Sequence, residues 1–150
     1  MYKPRYVQYI NLPQIPIDIM QSSIANIPNY LSNESIKRGS SYIWTDYQNA
    51  KLDSWCKHNI CKDMYFAFQV MTADVQIHKD VGTKTKFCYI LKTGGDNVIT
   101  SFYDDDKTTL LDSYCIVPEQ WHILKVDTYH GVTNIHPGEI RFSITAKIFE

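Results

Sequence analysis

The second half of the chain consists of short apolar runs separated by turn sequences, and this pattern constrains the fold more than any other feature. Turn sequences such as GGDN (94–97) and DDDK (104–107) lie between the runs. Short strands with a turn signal about every 8 to 12 residues are typical of a β-sandwich or barrel. The runs that predict strands are MYFAFQVM (64–71), KFCYILK (86–92), VITSFY (98–103), TLLDSYCIV (109–117), WHILKV (121–126) and EIRFSITAKIF (139–149).

The first 62 residues predict a strand and two helices. RYVQYI (5–10) alternates polar and apolar side chains, as a strand does. In segment 18–31 the apolar residues recur at helical spacing, and Pro28 is expected to kink or end that helix. Segment 45–60 predicts a second helix, which opens with Thr45 and Gln48 as a capping box. Helices followed by strands make the predicted fold class α+β with a β-rich core.

Length and charge exclude several classes of protein. At 150 residues, without repeats or linkers, the chain predicts one domain that combines 1–62 (strand plus helices) with 63–150 (β-rich core). With 15 basic and 16 acidic residues, a net charge of −1, it predicts no nucleic-acid partner. No apolar run approaches the ~20 residues of a membrane span, and the N-terminus lacks an apolar signal core. We therefore expect a soluble, cytoplasmic protein.

The four cysteines are expected to be reduced thiols, because the chain lacks a signal peptide. Cys56, His58 and Cys61 form a C-x-H-x-x-C cluster that has the residue types of a zinc site. No second ligand pair lies nearby at finger-like spacing. The favoured interpretation is a helix that buries its thiols in the core.

The stretch VQIHKDVG (75–82) places an imidazole and a carboxylate two residues apart, at His78 and Asp80. In a strand, residues i and i+2 point to the same face, so both side chains can reach one point. His130, in DTYHGVTN (127–134), can supply a third ligand from an adjoining strand. Two histidines and one carboxylate leave three octahedral positions open, as in non-haem Fe(II) oxygenases. His122 and His136 compete with His130 for this place.

Arg141 and Ser143, in GEIRFSIT (138–145), have the residue types of a carboxylate clamp. The planar guanidinium of an arginine grips a carboxylate through two parallel hydrogen bonds. Ser143 faces the same way as Arg141 if both lie in one strand, and its hydroxyl can donate to the same carboxylate. Turn residues in NIHPGE (134–139) would bring this strand back beside the segment of His130.

Each of these residues also has a simpler interpretation. His78 and Asp80 could form the solvated end of a hairpin, and His130 could be a core histidine bonded to a backbone carbonyl. Arg141 could pair with Asp127 or Glu139 at the surface, an interaction worth only ~0–1 kcal/mol. The metal-site interpretation is favoured because it accounts for all four residues at once.

The ordered set HKD (78–80), HGVTN (130–134) and RFSIT (141–145) resembles the Fe(II)- and 2-oxoglutarate-dependent dioxygenase superfamily, in its small members that hydroxylate prolyl or aspartyl residues. Order and the 11-residue step from His130 to Arg141 both match. The resemblance covers residues 64–149. It implies a double-stranded β-helix, a cupin-like jelly-roll with the N-terminal helices packed on one side.

The resemblance also implies roles for single residues. His78, Asp80 and His130 would hold Fe(II), and Arg141 with Ser143 would bind the C5 carboxylate of the cosubstrate 2-oxoglutarate. A residue on the strand after His-x-Asp often binds the cosubstrate's other carboxylate. Tyr89 is the choice for this role and Lys86 is its alternative, while the simpler interpretation of Tyr89 is a core aromatic. Two further residues are weaker candidates: Asn134 either lines the site or sets the turn, and Tyr103 borders the pocket.

The implied reaction is hydroxylation of an unactivated C–H bond with dioxygen, on a small-molecule or peptidyl substrate. On the resemblance alone, a free or peptidyl amino acid is favoured, and Lys84 and Lys86 would attract an acidic one. Two alternatives remain. The jelly-roll could be a non-catalytic cupin-like binding or structural protein, or a metal enzyme that uses no 2-oxoglutarate. The sequence does not set an oligomeric state.

Overall fold

Two antiparallel sheets and the helices beside them make up the structure, a computed structural model that describes residues 5–32, 36, 39, 42–46 and 49–147. The elements are β1 (Val7–Tyr9), α1 (Ile17–Ala25), α2 (Ile27–Leu31), β2 (Tyr42–Asp46), α3 (Ala50–Asn59), β3 (Tyr65–Met71), β4 (Val75–His78), β5 (Thr85–Thr93), β6 (Ile99–Tyr103), β7 (Leu110–Tyr114), β8 (His122–Lys125), β9 (Tyr129–Thr133) and β10 (Arg141–Lys147).

The larger sheet has six strands in the order β1-β8-β5-β10-β3-β2, and the smaller has four in the order β4-β9-β6-β7. At the centre of the larger sheet, β10 pairs antiparallel with β3 and with β5 along its whole length. The predicted β-rich α+β class, with a sandwich of two sheets, is confirmed.

The helices cover one face of the six-stranded sheet, and the four-stranded sheet faces the other. On the helix side, Phe68 and Phe142 are fully buried and stack with their ring centroids 4.9 Å apart. Leu52 and Cys56 of α3 belong to the same apolar cluster. Between the sheets the core is smaller. Because both faces of β3, β5 and β10 are covered, these strands read as almost continuous apolar runs.

Two helix boundaries differ from those predicted. The helical segment 17–31 is interrupted at Asn26, so that Pro28 lies in the first turn of α2, where its missing N–H costs no hydrogen bond. The capping box at Thr45 is wrong: Thr45 lies in β2 opposite Phe68, and Gln48 lies outside the described residues. Helix α3 begins instead at Ala50, and the Asn49 side chain accepts a hydrogen bond from the amide of Leu52.

The cysteine cluster does not form a metal site. Cys56 is fully buried in the core while His58 is exposed, so the two side chains point apart. All four cysteines are free thiols. Burial, with a smaller contribution from Asp53, raises the pKa of Cys56 to about 12, so it stays protonated. None of the described helices is long and apolar enough to span a bilayer.

Candidate metal centre

His78 and His130 face each other across β4 and β9, where they are register partners with ring centroids 4.5 Å apart. Strand β4 is irregular between Val75 and His78. Val75 pairs with Val132 and His78 with His130, so a separation of three residues on β4 matches one of two residues on β9. A step of three would put Val75 and His78 on opposite faces of a regular strand. The bulge returns His78 to the inner face, where both residues line one cavity.

Asp80 completes the set from the segment that follows β4. Its backbone N–H donates to the carbonyl oxygen of Val126 at 2.9 Å, which fixes the chain just beyond the strand. The Asp80 Oδ1 atom then lies 3.5 Å from His78 Nε2 and 3.7 Å from His130 Nε2. The ligating atoms of all three residues lie within 4.8 Å of one another. The structure thus brings together the three residues singled out from the sequence.

Backbone carbonyls fix the tautomers of both histidines. His78 Nδ1 lies 2.8 Å from the carbonyl oxygen of Gln76, and His130 Nδ1 lies 2.7 Å from that of Thr128. A carbonyl oxygen can only accept, so each Nδ1 carries the proton. In the neutral form of each ring the lone pair is therefore on Nε2, on the side of Asp80, and when His78 is charged its Nε2–H can donate to that carboxylate. This is the arrangement in which a ring N–H bonded to the backbone orients a metal-binding imidazole.

The pKa values of the two histidines are shifted in opposite directions. The hydrogen bond to Asp80 is the main reason why the pKa of His78 is raised, and burial opposes it. Burial lowers the pKa of His130 to about 4, so its ring is neutral at pH 7. The His78 side chain is 40% exposed and that of His130 only 7%. The open side of the set is therefore at His78.

The donor set fits a divalent metal that keeps positions open. Two neutral imidazole nitrogens and one carboxylate oxygen are the ligands of the non-haem iron facial triad, whereas a structural zinc is closed by four protein ligands. Within the described ranges, it is the only group of three or more such side chains close enough to hold one ion.

Behind the metal set lies a small cavity between the two sheets. Its volume is about 40 Å³, room for roughly three or four water molecules at about 10–15 Å³ each. Both histidine ligands border it, and so do Arg141 and Ser143. The remaining lining residues are Gln69, Met71, Val75, Lys86, Cys88, Ile90, Thr100, Ile116, His122, Leu124 and Val132.

Arg141 is a buried cation without a carboxylate partner. It is 4% exposed, and its guanidinium makes one long hydrogen bond, from Nη1 to the carbonyl oxygen of Thr93 at 3.4 Å. In the part of the chain that the structure describes, no carboxylate pairs with it, neither Asp127 nor Glu139. Burial lowers the pKa of Arg141 to about 10, which leaves it charged at neutral pH. Ser143, 5% exposed, lines the same cavity.

Tyr89, the predicted choice over Lys86 for the second carboxylate, does not line this cavity. Its ring packs among the helix-side core residues, 5.1 Å from the ring centroid of Trp121, and its hydroxyl lies 3.9 Å from Met20 Sδ. Side chains alternate along β5. Lys86, Cys88 and Ile90 therefore face the cavity, and Lys86 is only 5% exposed.

The other candidates lie at the edges of the site or away from it. Asn134 has a positive φ of 70°, and its side-chain amide donates to the carbonyl oxygen of Asn97 at 3.1 Å, so it sets the turn. Tyr103 is the register partner of Tyr129 and does not line the cavity. His136 lies on an exposed turn and Lys84 is exposed. His122 is buried and faces the cavity, outside the metal set.

Sequence reasoning missed the cavity roles of Gln69, Cys88 and Thr100. Gln69 is the register partner of Ser143 and interrupts the apolar run of β3, which was a signal that one face of that strand meets a polar space. A larger cleft of about 640 Å³ lies between α2 and the start of β10, bordered by Leu31, Glu119 and Ile140. It is lined by none of the three side chains that could hold a metal ion.

No family model matches the sequence, and no curated protein matches it either. Solved structures do match in fold. EvdMO1 superposes with a TM-score of 0.57 at 14% identity over 97% of this chain, which spans 47% of EvdMO1. The α-ketoglutarate-dependent non-haem epimerase SnoN, from nogalamycin biosynthesis, has a TM-score of 0.55 at 13% identity and covers 97% of this chain and 78% of its own.

A third solved structure is the nickel complex of the non-haem monooxygenase ThoJ, with a TM-score of 0.53 at 9% identity over 95% of this chain and 72% of its own. This chain spans about half the length of EvdMO1. At these identities the likeness is one of architecture. The chain shares the fold of these three proteins.

Proposed function

We propose that this chain is an Fe(II)- and 2-oxoglutarate-dependent dioxygenase that hydroxylates an unactivated C–H bond, and that residues 1–150 form one such domain. The observation that carries the proposal is a juxtaposition. A two-histidine, one-carboxylate set opens into a cavity whose other lining groups include Arg141, a buried guanidinium with no carboxylate partner among the described residues. A buried cation of this kind is costly unless an anion arrives to pair with it.

The order of the strands supports a double-stranded β-helix. From β3 to β6 the chain alternates between the six-stranded and the four-stranded sheet at each step, and from β7 to β10 it alternates again. Between β3 and β10, the one step that stays within a sheet is the hairpin of β6 and β7. This winding supports a jelly-roll, in which antiparallel strands wrap a barrel-like space.

One set of residues would bind the metal and another the cosubstrate. His78, Asp80 and His130 would hold Fe(II), whose chemistry when bound is the activation of dioxygen with 2-oxoglutarate as the source of electrons. Arg141 and Ser143 would bind the C5 carboxylate, and the guanidinium supplies two parallel donors for it. Lys86 takes the place proposed for Tyr89, because it lies in the cavity and its charge acts on His78.

The cavity must widen to admit the cosubstrate. At about 40 Å³ it holds a few water molecules, less than a five-carbon dicarboxylate fills. Backbone hydrogen bonds hold the strands of both sheets, so the adjustment falls to long side chains that line the space, above all Lys86 and Gln69. Binding of 2-oxoglutarate is therefore expected to reorder these side chains and to leave the strands in place.

The substrate would approach beside Asp80. An open groove of about 420 Å³ lies there, bordered by Lys79, Asp80, Thr83, Lys84 and Asp127. Val81, next to Asp80, is 95% exposed. Oppositely charged groups of this kind suit a free or peptidyl amino acid. SnoN is described as an epimerase and ThoJ as a monooxygenase, so one fold supports different outcomes.

The test is an anaerobic titration of the metal-free protein with Fe(II) and then 2-oxoglutarate, followed by visible absorption. We expect a charge-transfer band that requires both additions, is lost in His130→Ala and is weakened in Arg141→Met. His136→Ala is the matched control, because this histidine is exposed and outside the set. Binding of metal without an effect of 2-oxoglutarate would favour a metal enzyme that does not use it, and binding of neither would favour a non-catalytic jelly-roll.

A further inference from the structure

We propose that His122 is a specificity-determining residue of the cavity, which takes up a proton from solvent when a dicarboxylate binds and then donates its Nε2–H to a carboxylate. The inference rests on the proposed function, because it assigns a role in the cosubstrate pocket to a residue outside the metal set. It predicts that cosubstrate affinity depends on pH through a group that is not a metal ligand.

His122 is held in one orientation. It is 1% exposed at the start of β8, opposite Cys88 of β5. Its Nδ1 lies 3.0 Å from the carbonyl oxygen of Gln120 and therefore carries the proton. The Nε2 atom is left to the cavity, and none of the described residues donates a hydrogen bond to it. A buried polar atom without a partner indicates a missing ligand or water.

The surroundings of His122 keep its ring neutral in the free protein. Lys86 and Cys88 face it from β5 and Arg141 from β10, and Tyr9 of β1 approaches its ring with centroids 6.2 Å apart. Burial chiefly, helped by the charges of Arg141 and Lys86, lowers the pKa of His122 to about 4. From the opposite sheet, His78 and His130 line the same cavity, and a bound metal ion prevents both from titrating.

A dicarboxylate bound in the cavity favours the protonated form of His122 over the neutral form. In the free cavity a lone pair on Nε2 faces two cations, and charging the imidazole would add a third. A bound dianion neutralises Arg141 and Lys86 and places an acceptor oxygen beside Nε2. A neutral Nε2 would repel that oxygen, whereas a protonated one makes a charge-assisted hydrogen bond. Anion and proton therefore bind together, and a monocarboxylate or an uncharged ligand gains less from His122.

The measurement is isothermal titration of the Fe(II)-loaded protein with 2-oxoglutarate, without oxygen, in two buffers of different ionisation enthalpy. The difference gives the number of protons exchanged. We expect the wild type to take up close to one proton at pH 7, and its affinity to fall about tenfold for each pH unit above neutrality. In His122→Gln, which keeps an amide donor but cannot titrate, uptake is expected to drop to near zero and the affinity to become independent of pH.

The control is His136→Gln, in which an exposed histidine is changed and the wild-type proton uptake should persist. Equal uptake in His122→Gln and the wild type, or no uptake in the wild type, would overturn the proposal. If His122→Gln does not fold, nitrogen NMR of the wild type loaded with Zn(II) reads the protonation of Nε2 directly with and without the ligand.

Titration with glutarate tests the role of His122 independently of the proposed function. It has both carboxylates but no keto group, so it needs the cavity and not the metal. Glutarate binding with proton uptake that depends on His122 would uphold the inference even if no band forms with Fe(II) and 2-oxoglutarate. Failure of both dicarboxylates to bind would overturn it.

Discussion

A Cβ atom added to Gly131 would lie 3.0 Å from the carbonyl oxygen of Val75, on the strand that carries His78. Gly131 follows His130 directly, so its lack of a side chain lets β4 approach β9 at the level of the two histidine ligands. The backbone oxygen of Val75 cannot move without disturbing the bulge in β4. The position of this glycine therefore couples strand packing to the geometry of the metal set.

Gly131→Ala is expected to destabilise the fold by about 1–3 kcal/mol, because the added methyl group forces β4 and β9 apart. It should also weaken Fe(II) binding, since His78 moves with β4. Chemical denaturation and anaerobic metal titration measure the two effects. Thr133→Ala, at an exposed site on the same strand, is the control. A Gly131→Ala protein with unchanged metal affinity would contradict the coupling.

Removal of one ligand should abolish stable metal binding. Loss of a hydrogen bond that merely orients a ligand typically costs 10–100-fold in metal affinity, so the loss of His130 itself should cost more than about 100-fold. The measurement is Fe(II) affinity without oxygen, in His130→Ala and in the exposed control His58→Ala. Equal affinities in both variants would remove His130 from the set.

Arg141→Met is expected to separate stability from function. The guanidinium is buried with no carboxylate partner among the described residues, so replacing it by an apolar side chain of similar length should stabilise the ligand-free protein by about 1–3 kcal/mol. Under the proposed function, the same change would remove the charge-assisted bonds to the cosubstrate and should weaken 2-oxoglutarate binding by about 10–150-fold. Thermal unfolding and titration report the two quantities. A less stable Arg141→Met would indicate that the arginine serves the fold.

The stability of the metal-free protein should decline as the solution becomes acidic. His122 has a folded-state pKa of about 4, below the value of about 6.5 in an unfolded chain. Because the unfolded state binds this proton more readily, the contribution is fully present above pH 6.5 and is lost as the pH falls towards 4. The loss amounts to roughly 3 kcal/mol.

Urea unfolding at pH 7, 6 and 5 measures this dependence. His122→Gln should show a shallower decline than the wild type, and the two curves should differ most at the lowest pH. Parallel curves would mean that His122 is hydrated and titrates in the folded protein as it does in a peptide.

The metal set was predictable because its signal is local. His78 and Asp80 lie two residues apart, and a strand places such residues on one face whatever its partners are. The register that brings His130 beside them depends on β4 and β9, which meet through residues more than 50 positions apart in the chain. The likeness to a known family supplied that long-range contact, and the bulge that aims His78 has no clear signature in the sequence.

The cavity was harder to predict because both faces of β5 are covered. In a strand with one solvated face, the polar positions reveal which side chains point inward. On β5, Phe87, Tyr89 and Leu91 face the helices while Lys86, Cys88 and Ile90 face the second sheet, and either set could pass for the core face. Lysine is seldom buried, so the sequence alone gives little reason to place Lys86 in a cavity.

The predicted start of the helix at Thr45 was wrong for a related reason. Thr45 and Gln48 match a capping box in isolation, but β2 extends through Thr45 because its backbone pairs with β3. A strand added to the edge of a sheet gains hydrogen bonds from a partner more than 20 residues away, and local capping preferences cannot outweigh them. The true cap, Asn49, lies one turn further along the chain.

The backbone hydrogen bonds of His78 and His130 bear on how this protein tolerates mutation. Each Nδ1 is held by a main-chain carbonyl, of Gln76 and of Thr128, and every amino acid carries that group. Substitutions at positions 76 and 128 leave the acceptor in place. The main chain thus determines which ring nitrogen is protonated in each imidazole. The neighbouring side chains can therefore change widely, provided that β4 and β9 keep their register.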